Sequence, residues 1–135
     1  MLLPHNAVVA IADGHNLSLF RNAGRAPDIA LEPMDGPAAL AGEAGSGGRH
    51  HSSSANPDTS RLEEDDFAAA TADWLNSQVL CGKIDALFII ATPRTLGELR
   101  LRYHPELRFR LIGEEAKEMI GHPKAEIEAM LRGVR

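Results

Sequence analysis

The chain has few of the features that mark several protein classes. It contains one cysteine, Cys81, so an internal disulfide is excluded. It contains no apolar run of about twenty residues, the length that a membrane-spanning helix needs, so we predict no membrane association. The opening residues lack the basic region and long apolar region of a secretory signal. We therefore expect a cytoplasmic protein.

Aromatic residues are also scarce, at 4% of 135 residues, whereas hydrophobic residues make up 44%. A core of Leu, Ile, Val and Ala follows from this composition. The length predicts one domain, spanning 1–135, with a single sheet and its helices. The net charge of −5 argues against a protein that coats nucleic acid with its whole surface, but it is compatible with a local basic patch.

The chain is organised around an apolar run at 86–91 and the helix signal that directly follows it. A six-residue apolar run without polar alternation is typical of a strand buried on both faces. Thr92 and Pro93 are typical of the cap and first turn of a helix, and apolar residues follow them at helical spacing. The pattern predicts a central strand that feeds a helix.

The N-terminus of that helix is a candidate anion site. Its free amides and the positive end of its dipole favour a negative ligand, and open α/β sheets bind ligands at the carboxyl ends of their strands. Thr92, Arg94 and Thr95 occupy this position. The alternative is an ordinary strand-turn-helix unit with solvated arginines, and the residues alone leave both interpretations open.

Arginine is concentrated from this junction onward. The candidate anion-binding or RNA-binding arginines are Arg94, Arg100, Arg102, Arg108 and Arg110. A local positive patch on an acidic protein is consistent with a phosphate-bearing partner. Solvated faces of a helix and an edge strand are the alternative.

The remaining strands are predicted from apolar alternation and turn residues. The segments 7–12 and 17–22 flank a turn at 13–16, which is typical of a β-hairpin, and 29–34 adds a third strand. Apolar residues alternate with arginines at 107–111, which predicts a strand with one solvated face.

Two further helices complete the predicted fold. Ser60 and Glu63 have the spacing of a capping box, the acidic residues at 63–66 suit a helix start, and Gly82 suits a helix end. The apolar stripe of this helix is predicted at Phe67, Ala70, Trp74 and Leu75. Pro123 opens a last helix, whose predicted core residues are Ile127, Met130 and Leu131. The fold class is therefore α/β, with a mixed five-stranded sheet and three helices.

Two places in the chain contain residues that could be metal ligands. Asp13 ends the first strand, as the first metal-binding aspartate of ribonuclease H-like nucleases does, but no further carboxylates fall convincingly at neighbouring strand ends. We favour a turn aspartate. His50 and His51 have no cysteine or carboxylate at ligand spacing, which favours solvated histidines over a zinc site. We predict no metal and no cofactor.

The segment at 36–58 is rich in Gly, Ser, Ala and Pro. Such a segment buries too little apolar surface to offset the entropy of ordering it. We expect a mobile loop there, because loops of this length in compact domains are usually functional or disordered.

Three segments resemble a known bacterial family, called "protein required for attachment to host cells". They are VAIADG at 9–14, TPRTLGELR at 92–100 and HPKAEIE at 122–128, and they follow one another as in that family. The resemblance spans nearly the whole chain. The family is similar in fold to the catalytic middle domain of archaeal and eukaryotic peptide-chain release factors, so the resemblance implies a ribonuclease H-like α/β domain.

In release-factor middle domains a Gly-Gly-Gln tip lies on a long loop that enters a long helix. Gly47, Gly48 and Arg49 occupy the comparable place and are the catalytic candidates that the resemblance offers. Arginine accepts no hydrogen bond, so Arg49 cannot reproduce all the contacts of the glutamine amide. We therefore favour a non-enzymatic module that binds RNA or the ribosome, with rRNA or tRNA as partner. A peptidyl-tRNA or peptidyl-ester hydrolase is one alternative, and a protein-interaction factor that affects attachment indirectly is another.

Overall fold

The computed structural model describes residues 2–37, 40 and 57–134, without the side chains of 57–62. Most of the predicted loop at 36–58 lies outside the described residues.

Five strands and four helices make up the described part of the chain. The strands are β1 (Val8–Ala12), β2 (Leu17–Asn22), β3 (Leu31–Met34), β4 (Leu87–Ala91) and β5 (Leu111–Ala116). The helices are α1 (Pro57–Leu80), α2 (Pro93–Arg100), α3 (Pro105–Arg110) and α4 (Lys124–Arg132). The sheet order is β3-β2-β1-β4-β5, in which β4 is parallel to β1 and β5 while β2 is antiparallel to β1 and β3. The predicted α/β class and mixed five-stranded sheet are confirmed, and the fourth helix was not predicted.

The burial of β1 and β4 explains why these two strands carry no polar residues. Every residue of β1 and β4 is buried, and successive side chains point to opposite faces of the sheet. On one face they pack with Leu75 of α1, Leu96 of α2 and Leu107 of α3. On the other face they pack with Ile127 and Leu131 of α4. The sheet therefore lies between two helical layers.

The end of α1 was predicted correctly from the sequence, but its start was predicted wrongly. It begins at Pro57, where a proline loses no intrahelical hydrogen bond, so Ser60 and Glu63 do not form its cap. The acidic residues at 63–66 consequently lie in the second and third turns instead of at the helix start. The helix ends before Gly82 as predicted, and Gly82 has a φ of +79°, which a residue with a side chain rarely adopts.

The buried stripe of α1 also differs from the prediction. It is formed by Ala68, Ala72, Leu75 and Val79. Phe67 and Trp74 are half-buried and pack against the edge of that cluster, while Ala70 is exposed. Neither α1 nor any other helix within the described ranges is long and apolar enough to cross a membrane.

The predicted strand at 107–111 is wrong, because α3 occupies most of it. Pro105 fits the first turn, and the His104 side chain caps the helix by accepting a hydrogen bond from the amide two residues on, at 3.0 Å. Leu107 is buried whereas Phe109 is 77% exposed, so the alternation of apolar residues and arginines does not correspond to alternating burial. The helix start signal therefore outweighs the period-two pattern.

Candidate functional site

The carboxyl ends of the parallel strands β1 and β4 meet at one edge of the sheet, where the turn after β1 contacts the start of α2. The Thr92 amide donates a hydrogen bond to the Ala12 carbonyl at 3.3 Å. Thr95 Oγ1 donates to the Asp13 carbonyl at 3.1 Å. These two bonds join the start of α2 to the end of β1 and to the hairpin turn at 13–16.

The Asp13 side chain shapes this turn. Its Oδ1 accepts hydrogen bonds from the amides of His15 at 2.9 Å and Asn16 at 2.8 Å, as the prediction of a turn aspartate requires. Gly14 has a φ of +113°, and a Cβ there would lie 3.3 Å from Cγ of Glu64. Among the described side chains, no group of three or more metal-ligating residues could hold a metal ion.

Thr92 lies at the predicted N-cap position of α2, but the predicted capping hydrogen bond is absent. Thr92 is the N-cap residue and has an extended backbone, but its side chain makes no hydrogen bond to the helix amides. Its Oγ1 instead donates to Thr95 Oγ1 at 3.0 Å. The amides of the first turn are therefore left without a side-chain cap.

Arg94 forms ion pairs with α1 beside this helix start. Its Nε lies 3.6 Å from Glu64 Oε1, and its Nη2 donates to Asp65 Oδ1 at 2.9 Å. His15 Nε2 lies 3.3 Å from the other oxygen of Glu64. These side chains are partly exposed, so each pair contributes about 1 kcal/mol or less. An anion bound at the start of α2 has to compete with two carboxylates for Arg94.

Arg100 lies on a different face of α2 from Arg94 and joins the helix to β5. Its Nε and Nη2 donate to Glu114 Oε1 at 3.0 and 2.8 Å, and the Tyr103 hydroxyl donates to Glu114 Oε2 at 2.8 Å. Burial raises the pKa of Tyr103 above its ordinary value, and the hydrogen bond to Glu114 raises it further. The hydrogen bond with Glu114 and its charge likewise raise the pKa of Arg100. Arg100 is therefore already engaged in holding two elements of the fold together.

The last three candidate arginines differ in how they are paired. Arg110 Nε donates to Glu106 Oε2 at 3.1 Å. Arg108 Nη2 donates to the Arg100 carbonyl at 3.4 Å. Neither Arg102 nor Arg108 forms an ion pair with a carboxylate that the structure describes. These two charges are available to an external anion.

Two large apolar side chains are exposed between these arginines. Leu101 and Phe109 are each 77% exposed. The Arg110 guanidinium carbon lies over the Phe109 ring, 5.4 Å from its centroid. We call residues 101–110 the α2–α3 segment; it combines basic and exposed apolar side chains, as surfaces that contact unpaired bases do.

Asn76 of α1 supports the α2–α3 segment and was not identified from the sequence. Its Nδ2 donates to the Arg102 carbonyl at 2.9 Å, and its Oδ1 accepts from the His104 amide at 3.0 Å. Asparagine is unfavourable within helices, which is the signal that could have identified it. The sequence of α1 does not show that Asn76 contacts the α2–α3 segment.

The structure thus places the predicted site residues in two groups. Thr92, Arg94 and Thr95 lie at the start of α2, and Arg100, Arg102, Arg108 and Arg110 lie at or after its end. An eight-residue helix, about 12 Å long, separates them. The catalytic candidates Gly47, Gly48 and Arg49 lie outside the described residues, as do His50 and His51.

The chain matches a protein-family model. The model described as "Bacterial archaeo-eukaryotic release factor family 12" matches residues 6–131, a range that includes all five strands and both groups of site residues. A comparison with curated proteins found no match.

Proposed function

The chain belongs to the bacterial archaeo-eukaryotic release factor family 12, and on that premise we propose that it is a non-enzymatic module that binds RNA. A release-factor-like relation suggests a translation-related context, so rRNA, tRNA and the ribosome are the proposed partners and the cytoplasm the proposed location. The observation that carries the proposal is the α2–α3 segment, in which Arg102 and Arg108 have no described carboxylate partner and Phe109 is exposed.

The charge of this segment supports an anionic partner. Phosphate groups attract arginine without regard to base sequence, and each phosphate neutralised adds to the salt dependence of binding. Arg102 and Arg108 can contact phosphate without first breaking an ion pair, because neither is paired with a described carboxylate. The proposal therefore assigns phosphate contacts to these two residues first.

The exposed apolar side chains support RNA over a small anion. A phosphate-binding site alone gives no reason to expose Phe109, whereas RNA-binding proteins use aromatic and arginine side chains to stack on bases. Phe109 stands between Arg108 and Arg110 in the chain and is 77% exposed. The short helix α3 therefore presents both arginines that can contact phosphate and an aromatic ring that can contact a base.

The proposal extends to the start of α2 as a second phosphate contact. Its uncapped amides and Arg94 suit an anion, but Glu64 and Asp65 hold Arg94 in the free protein. A phosphate there has to displace these carboxylates. We therefore propose that Arg94 contributes less to affinity than Arg102 or Arg108.

We propose no hydrolytic activity, because arginine at position 49 cannot accept a hydrogen bond as a glutamine does. Peptidyl-tRNA or peptidyl-ester hydrolysis remains the competing proposal, supported by the family relation alone. Release of labelled peptide from peptidyl-tRNA tests it directly. An effect on attachment to host cells would, on our proposal, be an indirect consequence of binding RNA or the ribosome.

Titration of fluorescently labelled tRNA and an rRNA stem-loop, at two salt concentrations, tests RNA binding. Arg102→Ala and Arg108→Ala should each weaken binding and reduce the salt slope by about 0.7 to 0.9 units, the value for one lost phosphate contact. Arg21→Ala is the matched control, because Arg21 is an exposed arginine on β2, which pairs with neither β4 nor β5 and lies outside the α2–α3 segment. Equal affinities and slopes for the parent, both variants and the control would contradict the proposal.

A further inference from the structure

Phe109 presents one face of its ring to solvent and the other to a cation. The Arg110 guanidinium carbon lies over the ring at 5.4 Å from the centroid, while 77% of Phe109 is exposed. A guanidinium over one face is a favourable cation–π arrangement. The opposite face of the ring remains open to a flat ligand.

This arrangement is held in place before any ligand binds. Glu106 Oε2 accepts from Arg110 Nε at 3.1 Å, one helical turn away, which holds the guanidinium near the ring. Leu107 is fully buried and anchors α3 to the core. The His104 cap and the two hydrogen bonds of Asn76 hold the start of α3. Binding a flat ligand therefore requires little ordering of the α3 backbone.

We propose that Phe109 stacks on an unpaired nucleobase, so that the α2–α3 segment takes single-stranded RNA in preference to duplex RNA; the inference rests on the proposed function. In the interior of a duplex each base is stacked on a neighbour on both sides, whereas an unpaired base can turn a face to an aromatic ring. Arg108 precedes the ring and Arg102 belongs to the same segment, so both are assigned to the phosphates of the stacked nucleotide and its neighbours. The negative charge of RNA complements these cations.

The test compares two RNA probes of equal length, a single-stranded oligonucleotide and a blunt duplex. Phe109→Ala should weaken single-strand binding about fivefold or more, and Phe109→Trp should retain it, because every aromatic ring provides a stacking face. Leu80→Ala is the control, since Leu80 is also a large exposed apolar side chain but lies at the end of α1, outside the α2–α3 segment. A single strand carrying 2-aminopurine adds a spectroscopic readout: its fluorescence should be quenched on binding to the parent but not to Phe109→Ala.

Each outcome decides the inference. Preference for the single strand, with quenching that depends on Phe109, supports it. Equal binding of both probes, with no effect of Phe109→Ala, overturns the stacking inference while leaving RNA binding intact. Binding of neither probe at low salt overturns the proposed function and the inference together. Melting curves check that each variant is folded, and we expect it to be, because Phe109 and Leu80 lie outside the core.

Discussion

Removal of the Glu114 carboxylate tests whether Arg100 and Tyr103 stabilise the fold. Glu114 accepts three hydrogen bonds, one from the Tyr103 hydroxyl and two from the Arg100 guanidinium. Its side chain is 18% exposed and Tyr103 is 9% exposed, so water cannot fully replace the lost contacts. Glu114→Ala should therefore lower the free energy of unfolding.

The magnitude follows from the two kinds of contact that are lost. A hydrogen bond to a charged acceptor contributes about 1.5 to 3 kcal/mol, and the Tyr103 hydroxyl loses such an acceptor at a buried site. The Arg100 pair contributes about 0.2 to 1 kcal/mol, because its guanidinium is 56% exposed. The expected loss is about 2 to 4 kcal/mol.

Urea denaturation of Glu114→Ala, Tyr103→Phe and the double variant forms a double-mutant cycle. Tyr103→Phe removes one of the same contacts, so the double variant should lose about 1 to 2 kcal/mol less than the sum of the single losses. Glu115→Ala is the matched control on the same strand, because no hydrogen bond or ion pair joins Glu115 to a described side chain. It should change stability by about 0.5 kcal/mol or less. Additive losses, or equal losses for Glu114→Ala and Glu115→Ala, would refute the reasoning.

Four further predictions concern single side chains. The Thr71 hydroxyl is buried without a hydrogen-bond partner in the described part of the chain, so Thr71→Val should keep or raise stability in urea denaturation, by about 1 kcal/mol at most; a clear loss would show that the hydroxyl has a partner. Trp74 is half-buried, so Trp74→Ala should cost about 2 kcal/mol, less than a fully buried tryptophan, and native fluorescence should show a partly shielded indole. The pKa of Tyr103 is raised, so the unfolded chain loses this proton first; the contribution of Tyr103 to stability should be constant below about pH 10 and decrease above it, so stability should fall less above about pH 10 in Tyr103→Phe than in the parent. Arg94→Ala should leave the melting temperature nearly unchanged and reduce the salt slope of RNA binding by about 0.7 to 0.9 units, and an unchanged slope would remove Arg94 from the interface.

Elements with local signals were predicted well from the sequence. The strands β1, β2 and β4 and the start of α2 lie within one residue of their predicted positions. The signals are local: burial of β1 and β4 on both faces, the hairpin turn before β2 and the Thr-Pro start of α2. α3 was missed because the same residues satisfied a period-two pattern, and only the burial of Leu107 beside the exposure of Phe109 shows that this pattern is accidental.

The partners of the arginines could not be predicted in the same way. Asp65 is 29 positions from Arg94 and Glu114 is 14 positions from Arg100, and each pair depends on how helices and strands pack. The arginines therefore predicted one positive patch, whereas the fold pairs some of them internally. The proposal relies first on Arg102 and Arg108, whose charges the described carboxylates leave unpaired.

The central claim is that the protein associates with RNA through the α2–α3 segment. Affinity capture from a bacterial lysate, with and without ribonuclease, tests it most directly when the parent is compared with an Arg102→Ala, Arg108→Ala double variant. We expect that the parent recovers rRNA or tRNA, that ribonuclease abolishes recovery of any ribosomal proteins, and that the double variant recovers neither. Recovery of the same proteins by parent and variant, unaffected by ribonuclease and without RNA, would contradict it.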